Sequence, residues 1–312
     1  MPTVWQISSG PKSGPYAETF LRYGVALVGP GDTGPWRQGE PMAEWPQVRL
    51  FASEVREGDI LLLRSGSSQV QALGIIAGGY IYLDQFDDVS GWDLQHARRV
   101  RWFRLPEDHL LDGAVFMGST FGRVGQPEVI SYAERFVNSP PRDWQLASLP
   151  PLPPEEPDLD EVPTVLEDVV AIACDLGGGL YWDGQAFGQP PSESEMVAHL
   201  VVPLLRSLGW AEEQIAVEWH YIDVALFRDL PRSAETCHLI VEAKQVGLGL
   251  DDALEQAKAY AQTIGAKCDI LVTNGIRYRL HARDQGYAQV AYANLGRLRQ
   301  SAAELFARLK RI

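Results

Sequence analysis

The 312-residue chain carries 27 basic and 41 acidic side chains, a formal net charge of -14, with 46% hydrophobic residues and three cysteines. That length supplies two ordinary cores and that composition suits a soluble globular protein; no run of about 18 apolar residues is available to span a bilayer, and Met1-Pro2-Thr3-Val4-Trp5 lacks the basic and apolar regions of a secretion signal, so a cytoplasmic location is expected. Cys174, Cys237 and Cys268 are far apart in sequence, odd in number and without C-x-x-C spacing, so they read as buried or incidental thiols and argue against a zinc site.

Short strands and turns dominate the first part. A helix is expected at Tyr16–Tyr23. Gly58-Asp59 opens the apolar strand Ile60–Arg64, Ser65–Ser68 makes a turn, and Val70–Tyr82 is a second long apolar run interrupted by Gly74 and Gly78-Gly79. Val100–Phe103 is a further strand and Val129–Val137 a further helix. These elements predict a small β-barrel with helices over residues 1–137.

From Asn138 to Pro163 the chain is rich in proline and acid, as in Leu149-Pro150-Pro151-Leu152-Pro153-Pro154-Glu155-Glu156-Pro157. Proline removes donors and like charges repel, so residues 138–163 are expected to form an exposed, semi-rigid linker. Much of the negative charge falls in this region: residues 138–190 hold one basic and ten acidic side chains, against 12 and 16 before them and 14 and 15 after them. The flanking parts are near balance, which leaves a polyanionic partner open.

After the linker, a short helix is expected at Val165–Asp175, followed by a flexible Gly177-Gly178-Gly179. Val197, Leu200, Val201, Leu204, Leu205 and Leu208 recur at helical spacing behind Ser192, an N-cap, with Glu193 and Glu195 in the first turn. Strands are expected at about 215–227 and 238–245, a helix at 250–265, and a strand Cys268–Thr273. Asn274-Gly275 carries a type I′ hairpin signature and Ile276–Ala282 returns antiparallel, before a C-terminal helix at about 298–311.

Glu242-Ala243-Lys244 ends one of these strands, and lysine is scarce here, occurring only at positions 12, 244, 258, 267 and 310. Residues two apart in a strand share a face, so Glu242 and Lys244 should look one way while Val241 and Ala243 look the other. With Asp223, nineteen residues earlier, they would form a polar site in an apolar sheet, expensive unless it has a task.

These residues carry a resemblance. Glu193 ahead of Val201-Val202-Pro203-Leu204-Leu205 and Leu208-Gly209-Trp210, then Asp223, Val241-Glu242-Ala243-Lys244, Gln256-Ala257-Lys258-Ala259-Tyr260 and Leu271–Gly275 stand in the order of the PD-(D/E)xK nuclease superfamily. Residues 190–285 resemble most closely the N-terminal nuclease domain of the type I restriction enzyme R subunit. The resemblance implies a nuclease domain over residues 164–312 with a mixed central sheet, Asp223, Glu242 and Glu193 as ligands of a magnesium ion, manganese as its substitute, and Lys244 as the catalytic cation. Gln256 and Tyr260 would support that cluster as its Q-x-x-x-Y element. Glu193 also suits a plain helix start, and Tyr260 plain core packing. Ile222 stands where the superfamily name has proline, and Tyr221 where relatives often have a basic residue.

Residues 1–137 resemble the EVE branch of the PUA-like superfamily, through Val4–Ile7, Gly24–Pro30, Glu57–Leu63, Ala72–Ile76 and His96–Trp102. The resemblance implies a barrel holding an extruded, modified base, which needs flat side chains to stack on. The candidates are Tyr16, Trp36, Tyr80 and Trp92, with Ser8 as a polar contact and Arg98, Arg99 and Arg101 for phosphates; Trp5 and Trp102 are expected in the core, and His96 in the core or at the surface. Together the halves imply a modification-dependent DNA restriction endonuclease, phage-defence in role, that reads a modified base such as a modified cytosine and cuts as a homodimer. The alternatives are a non-cleaving nucleic-acid-binding protein on a nuclease-fold platform, and a repair or RNA nuclease.

Overall fold

The computed structural model describes residues 2–10, 15–37, 45–110, 116, 118–139, 148–178 and 191–311. The chain divides into two compact units, one of Met1–Gly31, Pro35–Ser90 and Leu94–Glu155, the other of Asp32–Gly34, Gly91–Asp93 and Glu156–Ile312.

The first unit contains β1 (Val4–Ser8), α1 (Pro15–Tyr23), β2 (Val25–Val28), α2 (Pro46–Ser53), β3 (Ile60–Ser65), β4 (Gln69–Tyr82), β5 (His96–Leu110), β6 (Phe121–Arg123) and α3 (Pro127–Asn138). Its six strands form one curled half-barrel sheet in the order β2-β5-β4-β3-β1-β6. Among the described residues only β1 and β3 pair in parallel in this sheet. Ile60, Leu61, Leu62 and Leu63 are all fully buried, because β3 is central and covered on both faces, which makes its sequence an unbroken apolar run rather than an alternation. Gly78 and Gly79 sit where the β4–β5 register shifts between Ile76 and Tyr80, a bulge that bends the sheet. At Gly74 a Cβ would lie 2.4 Å from Val100 Cγ1, so β4 and β5 approach there only because the side chain is missing. Asp59 pins the sheet: its carboxylate accepts the Trp5 indole N–H at 2.8 Å and the Thr3 and Arg56 main-chain N–H groups at 2.9 and 3.0 Å.

Over residues 148–163 the proline-rich segment is exposed or half-buried, and hydrogen bonds hold it at several points. Residues 140–147 lie outside the described residues, and the rest is held. Arg99 donates to Pro150 O, and Gln85 Nε2 reaches Pro153 O at 3.5 Å, within the first unit. Beyond the division at Glu155, Leu159 N–H donates to Leu298 O at 3.0 Å, Gln300 N–H to Pro157 O at 3.1 Å, and Glu156 accepts from the Ser301 hydroxyl at 3.1 Å. Leu159 and Val162 pack on the core of the second unit. Each prolyl carbonyl keeps its acceptor capacity although the nitrogen has no proton, so a proline-rich chain can still be strapped down.

The second unit comprises α4 (Thr164–Gly178), α5 (Glu193–Met196), a π turn (Val197–Val201), α6 (Val202–Ser207), β7 (Ile215–Trp219), β8 (Ile222–Phe227), β9 (Cys237–Ala243), α7 (Asp251–Ile264), β10 (Asp269–Thr273), β11 (Arg277–Ala282), β12 (Ala288–Asn294) and α8 (Ala302–Leu309). The mixed sheet runs β12-β11-β10-β9-β8-β7, with β9 and β10 parallel and the rest antiparallel. One face packs on α4, α5, α6 and α8 through Leu166, Leu200, Leu204, Val224, Val241, Leu271 and Leu305. The other packs on α7 through Ala253, Ala257 and Ala261, which meet Ala225, Ile240, Ile270 and Val272.

Several expectations need correction here. The strand expected at 215–227 is the hairpin β7–β8, turning at His220 and Tyr221, both at positive φ (52° and 68°). That is the type I′ geometry, built without glycine or asparagine. At Asn274-Gly275 only Gly275 has positive φ, 86°; Asn274 instead uses its side-chain oxygen to accept the Ile276 and Arg277 N–H groups at 3.2 and 2.8 Å. The helix after Ser192 contains a π turn ahead of Pro203, which cannot donate a helical hydrogen bond. Gly177 and Gly178 lie within α4, and Gly179 is outside the described residues. Strand β12 had no counterpart in the sequence reading. Cys237 and Cys268, remote in sequence, are buried in one core cluster.

A buried ionic cluster completes this unit. Arg277, with no exposed surface, places Nε 2.7 Å from Asp32 Oδ2, Nη2 3.5 Å from Asp93 Oδ1, and donates through Nη1 to Gly91 O at 2.9 Å. Asn274 Nδ2 donates to Asp32 Oδ2 at 2.8 Å. The tripeptides Asp32–Gly34 and Gly91–Asp93 therefore belong to the second unit by chemistry as well as by position. No helix among the described residues is long and apolar enough to cross a membrane.

Candidate active site

Two facing strands position the acidic pair. Val224 of β8 pairs with Val241 of β9, so Asp223 and Glu242 are opposed one step further along. Val241 and Ala243 are buried in the core on the α4–α6 side; alternation turns Glu242 toward the α7 face, as the spacing predicts. Asp223 Oδ2 accepts the Ala243 N–H at 2.7 Å. Lys244 Nζ stands 2.7 Å from Glu242 Oε1, with side-chain exposures of 15% and 2%. The lysine backbone is fixed too, its N–H donating to Thr273 O of β10 at 2.8 Å. Asp223, Glu242 and Lys244 are thus brought together.

Electrostatics distinguish the three groups. Burial pushes Glu242 up to about 7; the Lys244 hydrogen bond opposes this, and the Asp223 and Glu193 charges add to it. Asp223 is raised as well, by burial first, against the pull of the Ala243 N–H and Lys244, with Glu193 and Glu218 pushing the same way as burial. For Lys244 burial works downward, but the bond to Glu242 and the charges of Glu242, Glu193 and Asp223 outweigh it and hold the ammonium above its ordinary value. Glu193 therefore acts on both carboxylates from the start of α5. Glu195 is engaged elsewhere: its carboxylate accepts from Ser192 N and Oγ at 2.7 and 2.9 Å, a capping box. Glu218, at positive φ in β7, is an acid of this neighbourhood that the sequence reading did not single out.

One atom bears on whether a hard cation suits these residues. Glu242 Oε2 is buried and accepts no hydrogen bond, a costly state for a carboxylate oxygen, and oxygen donors are what magnesium and manganese take. Among the described residues no group of three or more His, Cys, Asp and Glu side chains is gathered to hold a metal; the oxygen donors brought together here are those of Asp223 and Glu242. Gln256 Nε2 donates to Tyr260 Oη at 3.0 Å. Both are on α7, which covers the face that Glu242 addresses, and this bond ties them to each other.

The reader candidates are dispersed. Tyr16 is buried near Phe20, with ring centroids 6.3 Å apart. Trp92 belongs to the second unit, its ring so close to Gly249 that a Cβ there would fall 2.4 Å from Cε2. Ser8 Oγ closes a turn with Gly10 at 3.2 Å. Arg98 is buried, donating to Phe51 O, Ala52 O and Gly78 O, and Arg99 donates to Gly24 O and Pro150 O. These two arginines serve main-chain carbonyls, whereas Arg101 is exposed. Trp5 is core as expected; Trp102 is half-buried and donates to Val25 O at 2.9 Å.

Trp36 and Tyr80 do meet, edge to face at 6.2 Å. The Trp36 main-chain N–H donates to Tyr80 Oη at 2.9 Å, and Tyr80 lies 2.8 Å from His96 Nδ1, whose Nε2 is 2.8 Å from Pro30 O. The carbonyl can only accept, so Nε2 carries the proton and Nδ1 accepts from Tyr80. Burial keeps His96 neutral, down at about 4, and holds the Tyr80 phenol up at about 12. Tyr82 stands edge-on to His96 at 5.5 Å and donates to Gly31 O at 2.6 Å. His96 and Tyr82, missed as partners, complete an aromatic corner; the alternate positions of Tyr80 and Tyr82 on β4 are a sequence signal for it.

Residues 5–118 match a family model described as a domain of unknown function, DUF8426. The match covers the strands of the first unit through β5. No curated protein matches the chain.

Proposed function

We propose that the protein is a divalent-metal-dependent nuclease whose second unit hydrolyses phosphodiester bonds of DNA, guided by a first unit that reads a modified base. What supports the reading is the unsatisfied buried oxygen of Glu242, set beside Asp223 and Lys244 in the order and spacing of the PD-(D/E)xK superfamily. A magnesium or manganese ion, when bound, would supply an activated water and offset phosphate charge. Asp223 and Glu242 would hold it, with Glu193 adding negative field. Lys244 would place a cation against the charge that builds on the phosphate oxygens, its ammonium already fixed by Glu242.

On the first unit, Trp36 and Tyr80 are the flat surfaces left for an extruded base, with Tyr82 and His96 as their support. The modified base is proposed to be a cytosine derivative, and cutting both strands would use two copies of the chain. Incubating the full chain with magnesium and duplexes containing cytosine, methylcytosine or hydroxymethylcytosine tests this. Cleavage of a modified duplex that disappears in Asp223→Asn is expected; equal cleavage by wild type and Asp223→Asn would remove the site.

A further inference from the structure

At the other end of the second sheet the charge pattern reverses. The Asp223–Glu242 pair lies at the carboxyl end of β9, whereas two cavities of about 480 and 430 Å³ open at its amino end, about 15 Å away along the strand. Arg228, His238 and Asp269 line both, so they form one cleft. Arg228, Lys267, Arg283, Arg308, Lys310 and Arg311 bring six positive charges to it, against Asp229, Glu235, Asp269 and Asp284 in the lining and Glu304, which pairs with Arg308 at 2.9 Å. In a chain of net charge -14 that is a local inversion, and two of its five lysines are here.

The acids are partly committed to their own loops. Asp269 Oδ1 accepts the Arg283 N–H at 2.9 Å, and Glu235 accepts the Ser233 hydroxyl at 2.7 Å. Arg228, Lys267, Arg283 and Lys310 make no ion pair among the described residues, and all four are exposed. The floor is rigid: His238 stacks on buried Trp210 at 5.6 Å, and Arg311 lies 5.5 Å over the same indole while donating to Arg228 O at 2.9 Å. Burial and the nearby Arg228 and Arg311 hold His238 below its ordinary pKa, so the lining already repels a further proton.

We infer that this cleft is a second, non-catalytic site that binds the phosphate group of a nucleotide or of a nucleic-acid strand. Arginine forks and lysine ammonium groups around a concave, partly aromatic floor suit phosphate oxyanions, and the volume is of the order that encloses a nucleotide-sized ligand. The inference stands apart from the metal site and needs no cleavage.

The test is calorimetric titration of the full chain in EDTA with AMP, with 5′-phosphorylated dithymidine, with unphosphorylated dithymidine, and with glutarate as a dianion lacking phosphate. A phosphorylated probe is expected to bind and glutarate not to. Arg228→Ala/Lys310→Ala, and separately Lys267→Ala/Lys310→Ala, should weaken binding at least tenfold. Tighter binding of AMP assigns a free nucleotide, and tighter binding of the dinucleotide assigns a strand. No binding of either, equal binding of glutarate, or unchanged affinity in both double variants would overturn the site.

Discussion

Asp223 accepts the main-chain N–H of Ala243 at 2.7 Å, which locks one carboxylate of the candidate site to the strand that carries the other. Asp223 is thus a structural acceptor as well as a proposed ligand. Asp223→Asn keeps an acceptor for that N–H and should fold with a loss of stability of at most about 1.5 kcal/mol, while abolishing metal-dependent cleavage. Thermal melts alongside cleavage assays measure both.

Lys244→Met removes the hydrogen bond that the Glu242 carboxylate accepts from the ammonium. Burial would then drive that carboxyl further toward its neutral form, so the expected cost is about 1–3 kcal/mol rather than that of a bare buried charge. Cleavage should fall by about 100-fold or more. A Lys244→Met protein that cuts at the wild-type rate would show that the lysine is only a partner for Glu242.

Glu242 sets a pH dependence whose sign is fixed by its upward shift. Its carboxyl titrates near the ordinary value of 4.5 when unfolded and at about 7 when folded, so the folded state binds the extra proton. Stability should therefore fall as pH rises from about 4.5 to 7, by about 3 kcal/mol at most, and level off above. Glu242→Gln should remove this slope and melt higher than wild type at pH 8 without metal. Denaturation midpoints across pH 4–8 for the two proteins make the comparison.

Arg277 is buried between Asp32 and Asp93. Arg277→Met leaves two acids without their cation and should cost about 3–5 kcal/mol, measured by denaturant unfolding. A fragment beginning at Glu156 lacks both acids and should be destabilised for the reciprocal reason, although the second unit's sheet is complete within it.

Tyr80→Phe deletes the hydroxyl that accepts from Trp36 and donates to His96. Two buried polar groups lose their partner, so a loss of about 1–3 kcal/mol is expected. Binding of a modified duplex by the full chain should weaken with it, read by fluorescence anisotropy in EDTA.

The sequence made the acid–lysine site legible because its logic is local: Glu242 and Lys244 share a face by alternation, and the surrounding apolar run marks a central strand. Asp223 was legible through the order of motifs. The β7–β8 hairpin was hidden because His220 and Tyr221 adopt left-handed geometry without glycine or asparagine to announce it, which made one strand of two. Asn274-Gly275 misled in the opposite direction, since Asn274 spends its side chain on the turn's N–H groups. The reader residues were hardest. Nothing near Arg98 in sequence says that the carbonyls of Phe51 and Ala52 await it, and nothing near Trp92 points to Gly249. Partners more than forty residues away are set by packing, which composition and periodicity do not encode.

Calorimetric titration of the metal-free chain with manganese, without nucleic acid and near pH 7 in buffers of different ionisation enthalpy, tests the central claim most directly. The account predicts saturable binding, with protons released as Glu242 ionises, and loss of that binding in both Asp223→Asn and Glu242→Gln. Wild-type protein that binds no manganese, or variants that bind it as tightly as wild type, would contradict it.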